Sequence, residues 1–362
     1  MKKLLITGAV GHIGSNITIE AIKRGWHVVG MDNLHRQEVI NNLRYLQFTF
    51  PQEFEFVWGD VRNQDDFDRV PQVDAIIHLA ANPGIPWSIK WPLYDFETNA
   101  RGTLNTLEFA KKCGNVPFVY ASTNKTFSDI INTLPTVETE TRYKWAQNPF
   151  WGKQAGEIDS IYSGIDFDQG VASSINQNFP TMGFGKYGHS MYGVSKLTGE
   201  LYATEYHCQY GLPVVINKMS CIFGLFQKGA VEQGWISHFI HMIQEDKPIT
   251  FFGTGKQVRD ILDARDVARL YMDEIEQIDK CNGEVFTVGG GANNTLSLIE
   301  AVNEIEQQLG KKAVVSHAEK RPADQDIYIS SLRRVEEILG WKPEISYKET
   351  ISDMIAETSG EI

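Results

Sequence analysis

The chain is poor in anything that would cross-link it. Only four cysteines occur in 362 residues, Cys113, Cys208, Cys221 and Cys281, widely scattered and without a CxxC or Cys/His cluster. Structural zinc and a disulfide framework are therefore not expected, and the thiols read as buried or idle groups of a reducing cytoplasm. Long hydrophobic runs are missing too. The opening Met1-Lys2-Lys3-Leu4-Leu5-Ile6 imitates a secretion signal, but its apolar run stops at Thr7-Gly8, short of the about 7–15 residues such a region needs. No segment approaches the roughly 20 apolar residues of a membrane span. Positive charge is in deficit as well. A formal net charge of -12 repels phosphate backbones, so nucleic acid is not an expected partner. An anionic small substrate would need local arginines.

What is present suits one large α/β unit or two closely joined lobes, since 42% of the residues are hydrophobic. Short apolar runs at 2–7, 27–31, 54–58, 74–79 and 117–121 read as strands. Helical patterns near 12–24, 37–48, 63–69 and 95–112 alternate with them. That rhythm predicts right-handed crossovers and a doubly wound parallel sheet of the Rossmann kind. A helix near 190–210 and a strand at 213–217 follow. Beyond about 220 the rhythm loosens into helices near 232–245, 264–279, 296–309, 331–339 and 347–358, with short strands at 249–252, 284–288 and 313–316. The expected division is a dinucleotide-binding domain over 1–220 and a smaller α/β substrate lobe over 221–362, interleaved with the first. The stretch 143–187, rich in Gly, Asn, Gln and Ser, has weak periodicity and reads as an extended loop.

Gly8-Ala9-Val10-Gly11-His12-Ile13-Gly14 sits between the first strand and the first helix, the context that makes a glycine pattern meaningful. Gly8 suits the tight turn, Gly11 a close approach to a pyrophosphate, and Gly14 close helix–strand packing. The N–H groups at the helix start, around His12 and Ile13, suit the phosphates. Asp32 ends the second strand, where a carboxylate accepts from the adenosine ribose hydroxyls and repels a 2′-phosphate; NAD is favoured over NADP. Asn33, Asp60 and Val61 are expected near the adenosine. Leu79, Ala80 and Ala81 end the fourth strand, where small residues let a cofactor lie against the backbone, and Asn99 completes the cofactor set. His78 reads as a packed strand histidine.

Tyr192 and Lys196 are four residues apart and share one helix face. A tyrosine titrates near about 10, and a neighbouring ammonium lowers that value, so the pair can move a proton during hydride transfer. Thr123 closes the fifth strand and can bond the same substrate oxygen.

With these residues in place, the chain resembles the extended short-chain dehydrogenases/reductases of the nucleotide-sugar epimerase and dehydratase type over nearly its full length. The resemblance implies an NAD enzyme with the set Thr123, Tyr192 and Lys196. In 4,6-dehydratases the hydroxyl residue is followed by Asp-Glu; here Ser122-Thr123 precedes Asn124-Lys125, which argues for an epimerase. Within the family, several motifs resemble the 2-epimerases of CDP-paratose and CDP-tyvelose. They are Ser122-Thr123-Asn124-Lys125, Glu138-Thr139-Glu140-Thr141-Arg142-Tyr143, His189-Ser190, Gln233-Gly234-Trp235 and Gly255-Lys256-Gln257-Val258-Arg259-Asp260. Departures lie at Thr126-Phe127-Ser128, at Lys218 and in the long 143–187 stretch. The resemblance implies oxidation at C2 to a bound ketosugar and re-reduction from the other face. It places Arg259 and Arg321 at the substrate diphosphate, Asp324 beside Arg321 or at the ribose, and Gln233 and Trp235 along the nucleotide. Asn124 and Lys125 face the sugar. It also implies a cytoplasmic homodimer or tetramer serving surface-glycan (O-antigen) synthesis. The alternatives are a UDP-hexose 4-epimerase, a nucleotide-sugar reductase or dehydrogenase, and a non-catalytic NAD sensor.

Overall fold

The computed structural model describes residues 1–146, 161–168, 171–183, 185–229, 234–321 and 324–360. Seven strands form one parallel sheet: β1 (Lys3–Thr7), β2 (His27–Asp32), β3 (Phe54–Trp58), β4 (Ala75–His78), β5 (Phe118–Thr123), β6 (Val214–Met219) and β7 (Val285–Val288). Their order is β7-β6-β5-β4-β1-β2-β3, so the winding reverses between β1 and β4. The strands are continuous apolar runs because both faces are covered. Leu4 and Ile6 pack on one face with helices His12–Lys23 and Ala264–Glu276; Leu5 packs on the other with Gly102–Lys112 and Met191–Tyr210.

The expected strands of the first half all form. The helical pattern at 63–69 is a 3-10 turn, Gln64–Arg69, with Asn63 bonding the amide of Asp65. The pattern at 95–112 is broken as well. A short helix, Pro92–Phe96, runs through a π turn, Glu97–Arg101, into the helix Gly102–Lys112. The π turn carries Asn99, and such bulges often re-aim a side chain at a functional site.

Two expectations are corrected beyond residue 140. The patch at 284–288 is not a lobe strand: as β7 it pairs with β6 and completes the large sheet. The second sheet is built instead from Cys221–Phe223, Val258–Asp263, Thr295–Ser297 and Ile327–Tyr328, none of them expected. Their hydrophobic pattern is interrupted by buried polar residues, above all Asp260, which is fully buried. Its carboxylate accepts from the Ser220 hydroxyl and from the amides of Ser330 (3.0 Å) and Gly291 (3.2 Å). The 143–187 stretch is also not simply a loop. Among its described residues are Tyr143–Trp145 and the hairpin Ile165–Asp168 with Val171–Ile175. Trp145, Ile161, Ile165, Ala172, Ile175 and Phe179 form a core with Phe127 and Tyr328. Strands of three to five residues are too short to show a period in sequence.

Asp260→Ala would leave two buried amides without an acceptor. It should destabilise the fold by about 2–4 kcal/mol in equilibrium denaturation.

Candidate active site

The cofactor half of the site stands where β1, β2 and β4 end. Gly8 turns the chain at φ +74°, and a Cβ there would meet the Ala80 amide nitrogen at 2.9 Å. A Cβ on Gly14 would lie 2.2 Å from the Gly8 carbonyl. Gly8, Gly11 and Gly14 therefore press the helix start against the strand end. Gly11 is the N-cap of the helix, and no side chain caps it. His12 follows. Its Nδ1 meets the Gln227 side-chain nitrogen at 3.3 Å, and that amide also donates to the Ile222 carbonyl. Gln227 is thus the donor, and the proton of the neutral imidazole belongs on Nε2. Among the described residues Nε2 is buried with no hydrogen-bond partner, and burial holds the ring at a pKa of about 4. An unpartnered donor beside uncapped N–H groups fits a pyrophosphate, and Ile13 lies on the same turn.

Asp32 bonds the Leu34 amide at 2.9 Å, and burial pushes its carboxyl up. Asn33 does not stand free for a ligand: its side chain donates to Asp60 at 2.9 Å. Asp60 is further gripped by both guanidinium arms of Arg62. Burial acts to raise Asp60, but those bonds prevail and hold it at about 2. The Asp60 amide in turn donates to Asp66, and the Val61 carbonyl accepts from Asn105, so what this pair can offer a base is the Val61 N–H. Leu79 and Ala80 are tied to Thr7 through their amides, and with Ala81 they stay partly exposed at the strand end. His78 is fully buried between Thr7 and Thr103, and burial keeps it neutral. Asn99 bonds the Asn82 amide at 2.7 Å, fixing the segment after β4.

The reactive half joins β5 to the Met191–Tyr210 helix. Ser190 caps that helix through the Gly193 amide, and the Tyr192 amide donates to Ser88 at 3.0 Å. Tyr192 reaches a hydrogen bond with Thr123, and Lys196 lies one turn on, its Nζ 4.3 Å from the Tyr120 ring centre. Burial pushes Tyr192 up to about 12, opposed by the Thr123 bond and reinforced by Asp95. Burial pulls Lys196 down to about 7, opposed by Glu200 and Asp95. Tyr192 is thus raised, not lowered as expected, because desolvation prevails in the protein alone. A cationic nicotinamide acts in the opposite direction.

The second lobe delivers Gln325, which has no signal in the sequence. Its side-chain oxygen accepts from Lys125 at 2.9 Å and from Asn124 at 3.3 Å. Burial lowers Lys125 to about 8, with Arg259 adding to the effect. Asp324 is placed differently from expectation. Its amide bonds the Arg321 carbonyl, but its carboxylate takes Arg259 at 2.5 Å. Burial acts to raise Asp324, yet Arg259, Lys125 and Lys320 outweigh it and hold it below its ordinary value. Arg321 lies 3.8 Å over the Phe252 ring. Trp235 is half-buried against Phe239 and bonds the Cys221 thiol. Gln233 lies outside the described residues. Asp95 and Glu200 were also missed, and Lys218 was noted only as a departure from the family pattern. Lys218, which is buried, bonds Glu200 at 2.5 Å and Thr126 at 2.7 Å beneath the site.

Two family models cover most of the chain. One, described as the NAD dependent epimerase/dehydratase family, matches residues 4–157; a second, GDP-mannose 4,6 dehydratase, matches 180–354. CDP-paratose 2-epimerase of Salmonella typhi is 32% identical over 99% of both chains. The chain belongs to the NAD-dependent epimerase/dehydratase family. It is an extended short-chain dehydrogenase/reductase, an enzyme of nucleotide sugars, and NAD is its cofactor. UDP-glucuronate 4-epimerase of Thermodesulfobacterium geofontis is 27% identical over 95% of this chain and 92% of that one. The fold is that of Thermus thermophilus UDP-glucose 4-epimerase in complex with NAD, with a TM-score of 0.76 at 24% identity over 99% of this chain and all of the other. No described helix is long and apolar enough to cross a membrane.

Asp32→Ala removes the acceptor at the end of β2. It should weaken NAD binding by about tenfold to a hundredfold in calorimetric titration, the worth of a charge-assisted bond.

Proposed function

We propose that the enzyme inverts C2 of a CDP-linked deoxyhexose of the paratose/tyvelose type. The observation that carries this reading is the tie of Asn124 and Lys125 to Gln325 beside Thr123. Dehydration needs a carboxylic acid and a base next to the hydroxyl residue. Here that place holds a buried amide and a partly buried amine, which suit orientation of a sugar rather than loss of water. The 32% identity with a CDP-paratose 2-epimerase supports the same substrate class.

NAD supplies the acceptor and donor of hydride for turning a sugar carbinol into a ketone and back. Thr123 holds the reacting hydroxyl, Tyr192 takes its proton and later returns it, and Lys196 favours the phenolate while orienting the cofactor ribose. Asp32 and the Gly8–Gly14 turn bind the cofactor, with Asn33, Asp60, Val61, Leu79, Ala80, Ala81 and Asn99 shaping its bed. Arg259, oriented by Asp324, and Arg321 take the substrate diphosphate, and guanidinium groups suit that task because they can bind bidentately. Gln233 and Trp235 line the nucleotide. The second reading, a 4-epimerase of UDP-hexoses, is favoured by the 27% identity with a UDP-glucuronate 4-epimerase.

The assembly belongs to the same proposal. Leu93, Phe96, Val194, Leu201 and Tyr202 are exposed on the paired helices before and after β5. We infer a homodimer in which these faces meet. Leu201→Glu should then yield monomers in sedimentation velocity.

Incubation with CDP-paratose, CDP-tyvelose, UDP-glucose and UDP-galactose, followed by NMR, tests the substrate. The expected result is inversion at C2 of the CDP sugars with no net consumption of NAD. Inversion only at C4 of the UDP sugars would replace this reading with the second. Net formation of NADH would make the enzyme a dehydrogenase. Tyr192→Phe should lower turnover by about 100-fold or more, the scale of general acid–base catalysis, while leaving NAD bound.

A further inference from the structure

Asp95 sits at the heart of the reactive half yet belongs to no motif of the sequence analysis. It lies in the short helix Pro92–Phe96 and is 1% exposed. One carboxylate oxygen accepts from the side chains of Asn82 (2.9 Å) and Asn99 (3.1 Å), and the other from the Ser195 hydroxyl (2.5 Å). All three donors are neutral. A carboxylate buried among neutral donors keeps its charge at a cost that hydrogen bonds only partly offset. Burial pushes its own titration up, and the Ser195 and Asn82 bonds oppose that push, as does the charge of Lys196.

Its placement shows where that charge acts. Ser195 lies between Tyr192 and Lys196 in the same helix, so the carboxylate is fixed against the turn that carries both. The other titratable groups on the elements packed against the pair have partners of their own; Lys125, in the turn after β5, donates to Gln325. From the same helix, Glu200 faces Lys196 but is already bonded to Lys218 and to Ser122 of β5. His78 of β4 is neutral, Tyr120 of β5 donates to the Lys196 carbonyl, and Thr123 bonds Tyr192. Asp95 therefore supplies a buried negative charge that no adjacent cation neutralises by direct contact.

We propose that Asp95 is a positioning residue whose fixed charge sets the proton affinity of the Tyr192–Lys196 pair. It holds the proton on Tyr192 until a cationic cofactor is in place. Without bound cofactor the phenol stays protonated and inert. With it, the added positive charge offsets Asp95 and releases the phenolate form. The same carboxylate, through Asn82 and Asn99, pins the segment after β4, so charge and geometry come from one group. The inference rests on the reading of Tyr192 as the acid–base residue, and not on which sugar is the substrate.

The test uses the NAD-loaded enzyme and no substrate. Tyr192 ionisation is followed by ultraviolet phenolate absorbance, taken as the difference between each protein and its own Tyr192→Phe partner. Asp95→Asn keeps the shape: its oxygen still accepts from Asn82 and Asn99, and its amide donates to Ser195. The half-ionisation pH of Tyr192 should fall by about one unit, because a like charge beside the phenolate has been removed. Ser195→Ala, which deletes one hydrogen bond but leaves the charge, should leave that pH near the wild-type value. If Asp95→Asn does not fold, Asp95→Ser carries the same test. An unchanged or raised half-ionisation pH in the neutral variant overturns the proposal, as does an equal shift in Ser195→Ala. Loss of NAD binding in the wild-type enzyme would overturn the cofactor reading instead, and a wrong sugar leaves this titration unaffected.

Discussion

The parallel pairing of β1 with both β2 and β4 is the constraint on which the site depends. Thr7 stands opposite Met31 on one side and His78 on the other. All three strands therefore run out at one edge of the sheet, and Gly8, Asp32 and Leu79 leave it together. A parallel sheet also needs a crossover after each strand. That puts a helix start, with its unsatisfied N–H groups, beside the same edge. The topology thus makes this edge a place suited to an anionic ligand before any particular side chain is considered.

The second requirement is a dry but fully bonded floor. His78, Thr7, Thr103 and Thr106 form one buried chain of hydrogen bonds under β4. Asn99, Asp95 and Ser195 form another, and Ser122, Glu200, Lys218 and Thr126 a third. Apolar packing could fill this space at lower risk, since each of these groups is costly once a partner is lost. What the networks add is direction. They fix the helix that carries Tyr192 and Lys196 in register with the end of β5, and they place two carboxylates beneath a lysine that burial alone would discharge.

The second lobe completes the site from across the chain. Val258–Asp263 presents Arg259, and the segment leading to Ile327–Tyr328 presents Asp324 and Gln325. Gln325 bonds Asn124 and Lys125, which directly follow the last residue of β5. The second lobe is thus physically joined to the end of β5, where Thr123 stands. The packed core around Phe127, Phe179 and Tyr328 adds a second joint, built partly from the 143–187 stretch.

The sequence alone determined the local signals: the apolar runs of the first five strands, the Gly8–Gly14 turn after β1, Asp32 at the end of β2, and the helical spacing of Tyr192 and Lys196. Each lies within one element or one turn, where periodicity and backbone sterics act directly. Tertiary structure alone decided the pairings between distant segments. Asp324 takes Arg259 rather than Arg321, Gln325 meets Lys125, Asn33 occupies Asp60, and Asp95 reaches Ser195 across 100 positions. None of these partners has a local pattern. A buried polar side chain looks like a surface one in sequence, and only folding shows that water is gone and that another side chain must take its place. The strand at 285–288 makes the same point for the fold. Its composition announces a strand, but the sheet it joins is settled by which edge remains unpaired once the rest of the chain has packed.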